Sequence, residues 1–143
     1  MDTAGRRVLV VAAAIVDDLD VPRALLAARR RTPAQLAGRW EFPGGKVERD
    51  ETPAAALHRE ILEELGVRIR IGTELVGPAA GAWALTDRYV MRLWLAEIAF
   101  GSPQPLVEHD ELRWLAVGRW HDVPWLDADR PILTALTTAL GLP

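Results

Sequence analysis

Hydrophobic residues run from Val8 to Val16 without a polar break and include several β-branched side chains, which predicts a strand buried on both faces. Asp17 to Pro22 reads as a turn. Ala24 to Ala28 is a second apolar run, closed by Arg29, Arg30 and Arg31. A polar stretch with Pro33 and Gly38 leads into Trp40-Glu41-Phe42-Pro43-Gly44-Gly45, whose two glycines suit a backbone that must approach a ligand closely. From Ala54 to Leu65 the period changes: Ala54, Leu57, Ile61 and Leu65 form one stripe of a helix. Thr52 is placed to cap it, Pro53 to begin it and Gly66 to end it. Val67 to Val76 alternates as a strand, with Arg68 and Arg70 on one face. Pro78 to Ala84 is a loop of small residues, Tyr89 to Phe100 a long strand and Gly101 to Asp110 a polar loop. A strand over Glu111 to Val117, centred on Trp114, and an irregular stretch to Asp129 precede a final amphipathic helix from Pro131 to Leu140. Trp83, Trp94, Trp114, Trp120 and Trp125 are expected to pack, though Trp83 lies in a loop that could reach a ligand. Strands interleaved with two helices, with no repeats and no linker, predict one α/β domain over residues 1–143, built on a mixed β-sheet.

Composition narrows the classes. The chain has 143 residues, enough for a sizeable core, and 50% of them are hydrophobic, which argues against disorder. No apolar run is long enough to cross a membrane. The two arginines and apolar run at the start superficially resemble a signal peptide. The run ends in Asp17 and Asp18 without cleavage-type spacing, and reads as a strand instead. The lack of cysteine excludes disulfides and thiolate ligands and points to the cytoplasm. The net charge of −3 argues against a general nucleic-acid binder.

The chemistry lies on the helix. At about 100° per residue, Glu63 falls near −60° and Glu64 near +40° from Glu60, so three carboxylates share one narrow face. Ala56 leaves room on that face one turn earlier. A solvated acidic surface is the plain alternative. Against it, like charges three and four residues apart repel, and the helix dipole disfavours anions in the last turns. A divalent cation would reverse both penalties, and all-oxygen ligands suit Mg2+, with Mn2+ as a substitute. Arg59, between Glu51 and Glu63, is placed to pair with a carboxylate and hold this face in register. His58 and His109 are expected to be solvated.

Gly45, Glu51, Arg59, Glu60, Ile61, Glu63, Glu64, Gly66 and Val67 stand at the spacing of the Nudix hydrolase signature, and the chain resembles that family. The resemblance implies the Nudix fold, a mixed sheet sandwiched between helices. It implies that the Gly44 carbonyl joins Glu60, Glu63 and Glu64 around the metal, and that Glu108 is a further metal ligand or activates water, with Glu111 its rival. Glu60 or Glu108 is the implied general base. WEFPGGKVE and the segment from Glu108 to Leu140 resemble the MutT and CTP pyrophosphohydrolase branch. That branch cleaves nucleoside triphosphates to the monophosphate and pyrophosphate and clears unwanted nucleotides.

By the same resemblance Arg30 and Lys46 contact the nucleotide, Phe42 lines the base pocket and Asp129 reads the base. Core packing is the alternative for Phe42, and capping of the last helix the alternative for Asp129. MutT-type enzymes carry an amide where this chain has Asp129. An ionised carboxylate only accepts hydrogen bonds, which favours cytosine or 8-oxoguanine over guanine. The implied substrates are therefore 8-oxo-dGTP, (d)CTP or both, handled by a monomer or homodimer. ADP-ribose or dinucleotide hydrolysis is the alternative activity. A non-catalytic nucleotide sensor is another, which the intact carboxylates count against.

Overall fold

The computed structural model describes residues 7–143. In chain order its elements are β1 (Val8–Ile15), β2 (Leu25–Arg30), β3 (Trp40–Glu41), β4 (Gly44–Lys46), α1 (Pro53–Leu65), β5 (Arg68–Leu75), β6 (Trp83–Ala84), β7 (Tyr89–Phe100), β8 (His109–Leu115) and α2 (Arg130–Ala139). Strand β1 explains the architecture. Val11, Ala13 and Ile15 pack with Leu57, Ile61 and Leu65 of α1. Ala12 and Ala14, on its other face, join a core with Leu133 and Leu136 of α2. The unbroken apolar run is thus a strand covered by a helix on each side, as expected.

Strand β1 pairs parallel with β7 and antiparallel with β4, and β7 carries β5 and β6 antiparallel. This gives a mixed sheet in the order β4-β1-β7-β5, with β6 also paired to β7. A second sheet, β3-β2-β8, is antiparallel. An isolated bridge from Val16 to Leu25 links the two sheets. The turn between them is fixed by Asp17, whose Oδ1 accepts the Arg23 and Ala24 N–H groups at 2.9 Å each.

The ends of α1 follow their chemistry. Thr52 Oγ1 accepts the Ala55 N–H at 3.1 Å, and Gly66 adopts φ 71° while its N–H donates to the Leu62 carbonyl at 2.9 Å. Three expectations need correction. Trp40–Glu41 and Gly44–Lys46 pair as short strands, because β1 and β2 offer open edges there. The stretch of small residues before Ala84 ends in β6. Strand β8 begins at His109 rather than Glu111 and stops at Leu115 rather than Val117, because β2 supplies partners only for that span.

Trp120 and Trp125 are buried, and each donates its indole N–H to a backbone carbonyl, of Arg23 and Trp120 respectively. Trp83 does the same toward Leu75. Trp114 departs from its expected packing: it is 43% exposed and joins neither core.

Candidate active site

The last turns of α1, strand β4 and the loop before β8 converge on a cavity of about 930 Å³. Glu60, Glu64, Gly44, Gly45 and Glu108 line one part of it, and Phe42 and Asp129 another. Arg59 locks the helix to the loop before it. Its Nε and Nη2 donate to the two oxygens of Glu51 at 2.6 and 2.9 Å, and Nη2 also donates to the Lys46 carbonyl at 3.1 Å. Nη1 reaches Glu60 at 2.8 Å and Glu63 at 3.3 Å. Hydrogen bonding from Arg59 holds the Glu51 carboxyl down to about 2. Arg59 thus pairs with three carboxylates, those of Glu51, Glu60 and Glu63.

The three carboxylates of α1 do not share one environment. Glu64 is buried, and desolvation first, then the carboxylates of Glu108, Glu41 and Glu60, push its carboxyl up to about 9. Glu60 is raised too, mainly by burial, with Arg59 opposing. Glu63 is 55% exposed in its side chain, lies outside the cavity wall and is held by Arg59. The helical face seen in sequence is real at its backbone, but only two of its acids are turned inward.

Close approach depends on two glycines. A Cβ on Gly45 would sit 2.2 Å from the Glu60 carboxylate, and one on Gly44 would sit 2.0 Å from the Val11 carbonyl. The first glycine lets Glu60 lie flat against β4. The second lets β4 pair with β1.

Along one wall of the cavity a network joins residues of β2, β3, β8 and the loop before β8. Arg30 Nη1 meets Glu41 at 3.1 Å and Nη2 meets Glu108 at 3.0 Å. Arg30 is thus clamped between two acids. His109, expected to be solvated, is buried instead, and its Nε2 bonds Glu41 Oε2 at 2.8 Å. Its Nδ1 faces Glu64 Oε2 at 3.7 Å, and neither atom has a hydrogen-bond partner among the described residues. Sequence reading also missed Glu41; a polar residue just ahead of the paired glycines was the available signal. Glu111 points away, to Arg29 at 3.1 Å. His58 is exposed, as expected.

An orphaned buried carboxylate oxygen at the end of a helix, with two more acids nearby, is a donor set fit for a hard cation. Among the described residues no three such side chains are grouped so as to hold a cation by themselves. A divalent cation there would need further oxygens from outside the protein to complete its shell.

At the other part of the cavity Phe42 packs on Trp125 with ring centroids 4.9 Å apart, and its N–H donates to Asp129 Oδ2 at 3.3 Å. Asp129 stands at the start of α2, yet its side chain makes no capping hydrogen bond. The Phe42 N–H has taken it instead. Burial first, then Glu41, raises its carboxyl to about 7, against the Phe42 hydrogen bond that lowers it. A carboxyl raised to about 7 is divided near neutral pH between its ionised and protonated forms, so Asp129 can donate as well as accept. Lys46 is exposed at the rim, its ammonium 5.3 Å from the centroid of the Tyr89 ring.

The chain is similar to known proteins over most of its length. The family described as the NUDIX domain matches residues 6–136. A Mycobacterium tuberculosis protein with the provisional name 8-oxo-dGTP diphosphatase 2 is 37% identical over 93% of this chain and 90% of its own length. The CTP pyrophosphohydrolase of Escherichia coli is 35% identical over 78% of this chain and 80% of its own. The solution structure of the Escherichia coli ORF135 protein superposes with a TM-score of 0.73 at 31% identity, covering 96% of this chain and 94% of that one. With the family matched over residues 6–136, and Glu60 and Glu64 of its signature on the cavity wall, the chain belongs to the NUDIX family of phosphoric-anhydride hydrolases.

Proposed function

We propose that this chain is a Mg2+-dependent nucleoside triphosphate pyrophosphohydrolase that cleaves (d)CTP, 8-oxo-dGTP or both to the monophosphate and pyrophosphate. The observation that carries this reading is that the buried Asp129–Phe42 pair opens onto the same cavity as Glu60 and Glu64. A base held at Asp129 would place its phosphates toward α1. The names of the tuberculosis and Escherichia coli relatives support the same substrate classes.

Glu60, Glu64, Glu108 and the Gly44 carbonyl would hold the cation, and Glu63 could join them only by releasing Arg59. When bound, Mg2+ neutralises phosphate charge and makes the phosphorus more electrophilic. The protein's own part is positional and proton-handling. Lys46 meets the phosphates at the rim. Water attacks the β-phosphorus in line with the departing monophosphate oxygen. Glu60, whose proton affinity burial raises, takes the proton from that water. Asp129 accepts from the cytosine N4 amino group, or from the N7–H that oxidation gives guanine. Its added ability to donate weakens, without removing, discrimination against unmodified guanine. A reducing cytoplasm, where such nucleotides are found, suits a chain without cysteine, acting as monomer or homodimer.

The test is pyrophosphate release with Mg2+ across dCTP, CTP, 8-oxo-dGTP, dGTP, dTTP, ADP-ribose and a dinucleotide. A kcat/KM for dCTP or 8-oxo-dGTP about tenfold or more above dGTP and dTTP is expected, one good base contact being worth about 1–3 kcal/mol. Preference for ADP-ribose or the dinucleotide would overturn the substrate assignment.

A further inference from the structure

We infer that His109 is a positioning residue: by donating from Nε2 to Glu41 it anchors, through Arg30, the cavity carboxylate Glu108. The inference rests on the proposed hydrolase reading of the cavity. The chain of contacts is continuous: His109 Nε2 to Glu41 Oε2 at 2.8 Å, Glu41 to Arg30 at 3.1 Å, Arg30 to Glu108 Oε2 at 3.0 Å. His109 itself does not line the cavity, whereas Glu41, Arg30, Glu64 and Glu108 do.

Two features show that the fold goes out of its way to bury this ring. The pairing of β2 with β8 slips by one residue, Arg29 facing Glu111 and Arg30 facing His109. Leu112 packs toward α1, so strict alternation would aim Asp110 the same way and His109 outward. The bulge at Asp110 lets Asp110 and Glu111 both meet Arg29 outside, at 2.8 and 3.1 Å, and turns His109 in. Next, Val107 holds φ 56°, an uncommon state for a β-branched residue that persists only where neighbours enforce it. Here the Leu106 N–H donates to the Glu64 carbonyl at 3.0 Å, and the Arg31 N–H to the Glu108 carbonyl at 2.9 Å. The result is a short segment pinned at its backbone by α1 and β2, with its one cavity carboxylate aimed by a side-chain relay that begins at His109. The imidazole also packs beside Glu64 without bonding it, leaving Oε2 unclaimed.

Amide isosteres separate this role from general packing. In His109→Gln the amide nitrogen falls near Nε2 and can still donate to Glu41. In His109→Asn it falls near Nδ1 and cannot. Wild-type pyrophosphate release with Mg2+ comes first, because its absence would sink the hydrolase reading and not this one. Given activity, His109→Asn should lose about 10–100-fold in kcat, the scale seen when an outer hydrogen-bond partner of a site is removed. Its KM should change little. His109→Gln should stay within about threefold of wild type. Amide hydrogen exchange over residues 104–109, measured without metal or nucleotide, should quicken in the Asn variant and not in the Gln variant. Equal kcat in Asn, Gln and wild type would overturn the inference. So would equal losses in both variants accompanied by equal falls in Tm, which would mean that the ring only fills space.

Discussion

Replacing Gly45 by Ala adds one methyl group, and the structure says what it meets. The new Cβ would lie 2.2 Å from the Glu60 carboxyl carbon and from one of its oxygens. Ordinary contact begins near 3.4 Å, so the carboxylate must retreat by about 1.2 Å, the difference between the two. The obstruction is the far end of a side chain, so the backbone can stay and the protein should fold. What moves is Glu60, the proposed general base, which Arg59 holds at 2.8 Å. Misplacement by about 1 Å costs on the order of 10²-fold in rate. Gly44→Ala is the matched control. Its Cβ would meet the Val11 carbonyl at 2.0 Å, and backbone cannot step aside without parting β4 from β1. Overpacking of that kind costs about 1–3 kcal/mol, which for a domain of this size lowers Tm by about 3–10 °C. The assay is pyrophosphate release at saturating Mg2+ beside a thermal melt of each variant. Gly45→Ala should melt within a few degrees of wild type with kcat down about 10²-fold, while Gly44→Ala should melt early. Near-normal turnover in Gly45→Ala, or a melting loss equal to that of Gly44→Ala, would refute the reasoning.

Glu64→Gln should lower kcat by at least about 10²-fold with the fold kept, the scale for a lost positioned group. Glu63→Gln, altering an acid outside the cavity wall, should cost less than about tenfold, and the reverse ranking in steady-state kinetics would move the metal assignment outward. Glu108→Gln should lower kcat with little effect on nucleotide affinity, whereas Glu111→Gln should be mild, because Glu111 faces Arg29 on the outer side. Asp129 gives a pH signature. Its carboxyl is raised from an ordinary 3.8 to about 7, so the folded state keeps a proton that the unfolded chain releases, and its contribution to stability is full below about pH 4 and lost as pH rises to about 7. Such a shift is worth on the order of a few kcal/mol, enough to move Tm by several degrees. Melts from pH 4.5 to 8 should therefore show a fall in wild type that Asp129→Asn lacks, and parallel curves would count against the burial of that proton.

The residues of Gly45 to Val67 carried most of the chemistry by themselves. Helical spacing is a local property, so Thr52, Pro53 and Gly66 could mark the ends of α1, and Arg59, between Glu51 and Glu63, could be read as the partner of a carboxylate. The two-sided burial of β1 was legible for the same reason: nine apolar residues in a row leave no face for water. Tertiary structure decided the rest. Whether Glu63 or Glu64 turns inward depends on Arg59 and on what β8 brings beside α1, and both differ from Glu60 by similar angles. Whether Asp129 caps α2 or serves the cavity depended on a backbone N–H at Phe42, 87 residues away. His109 shows the limit most clearly. A bulge in the pairing with β2, an element far away in sequence, turns His109 at the start of β8 inward. Sequence alone states which side chains can do acid, base and cation chemistry, because that is set by residue type and local period. Which of them meet is set by long-range strand register and burial, and those are properties of the assembled sheets.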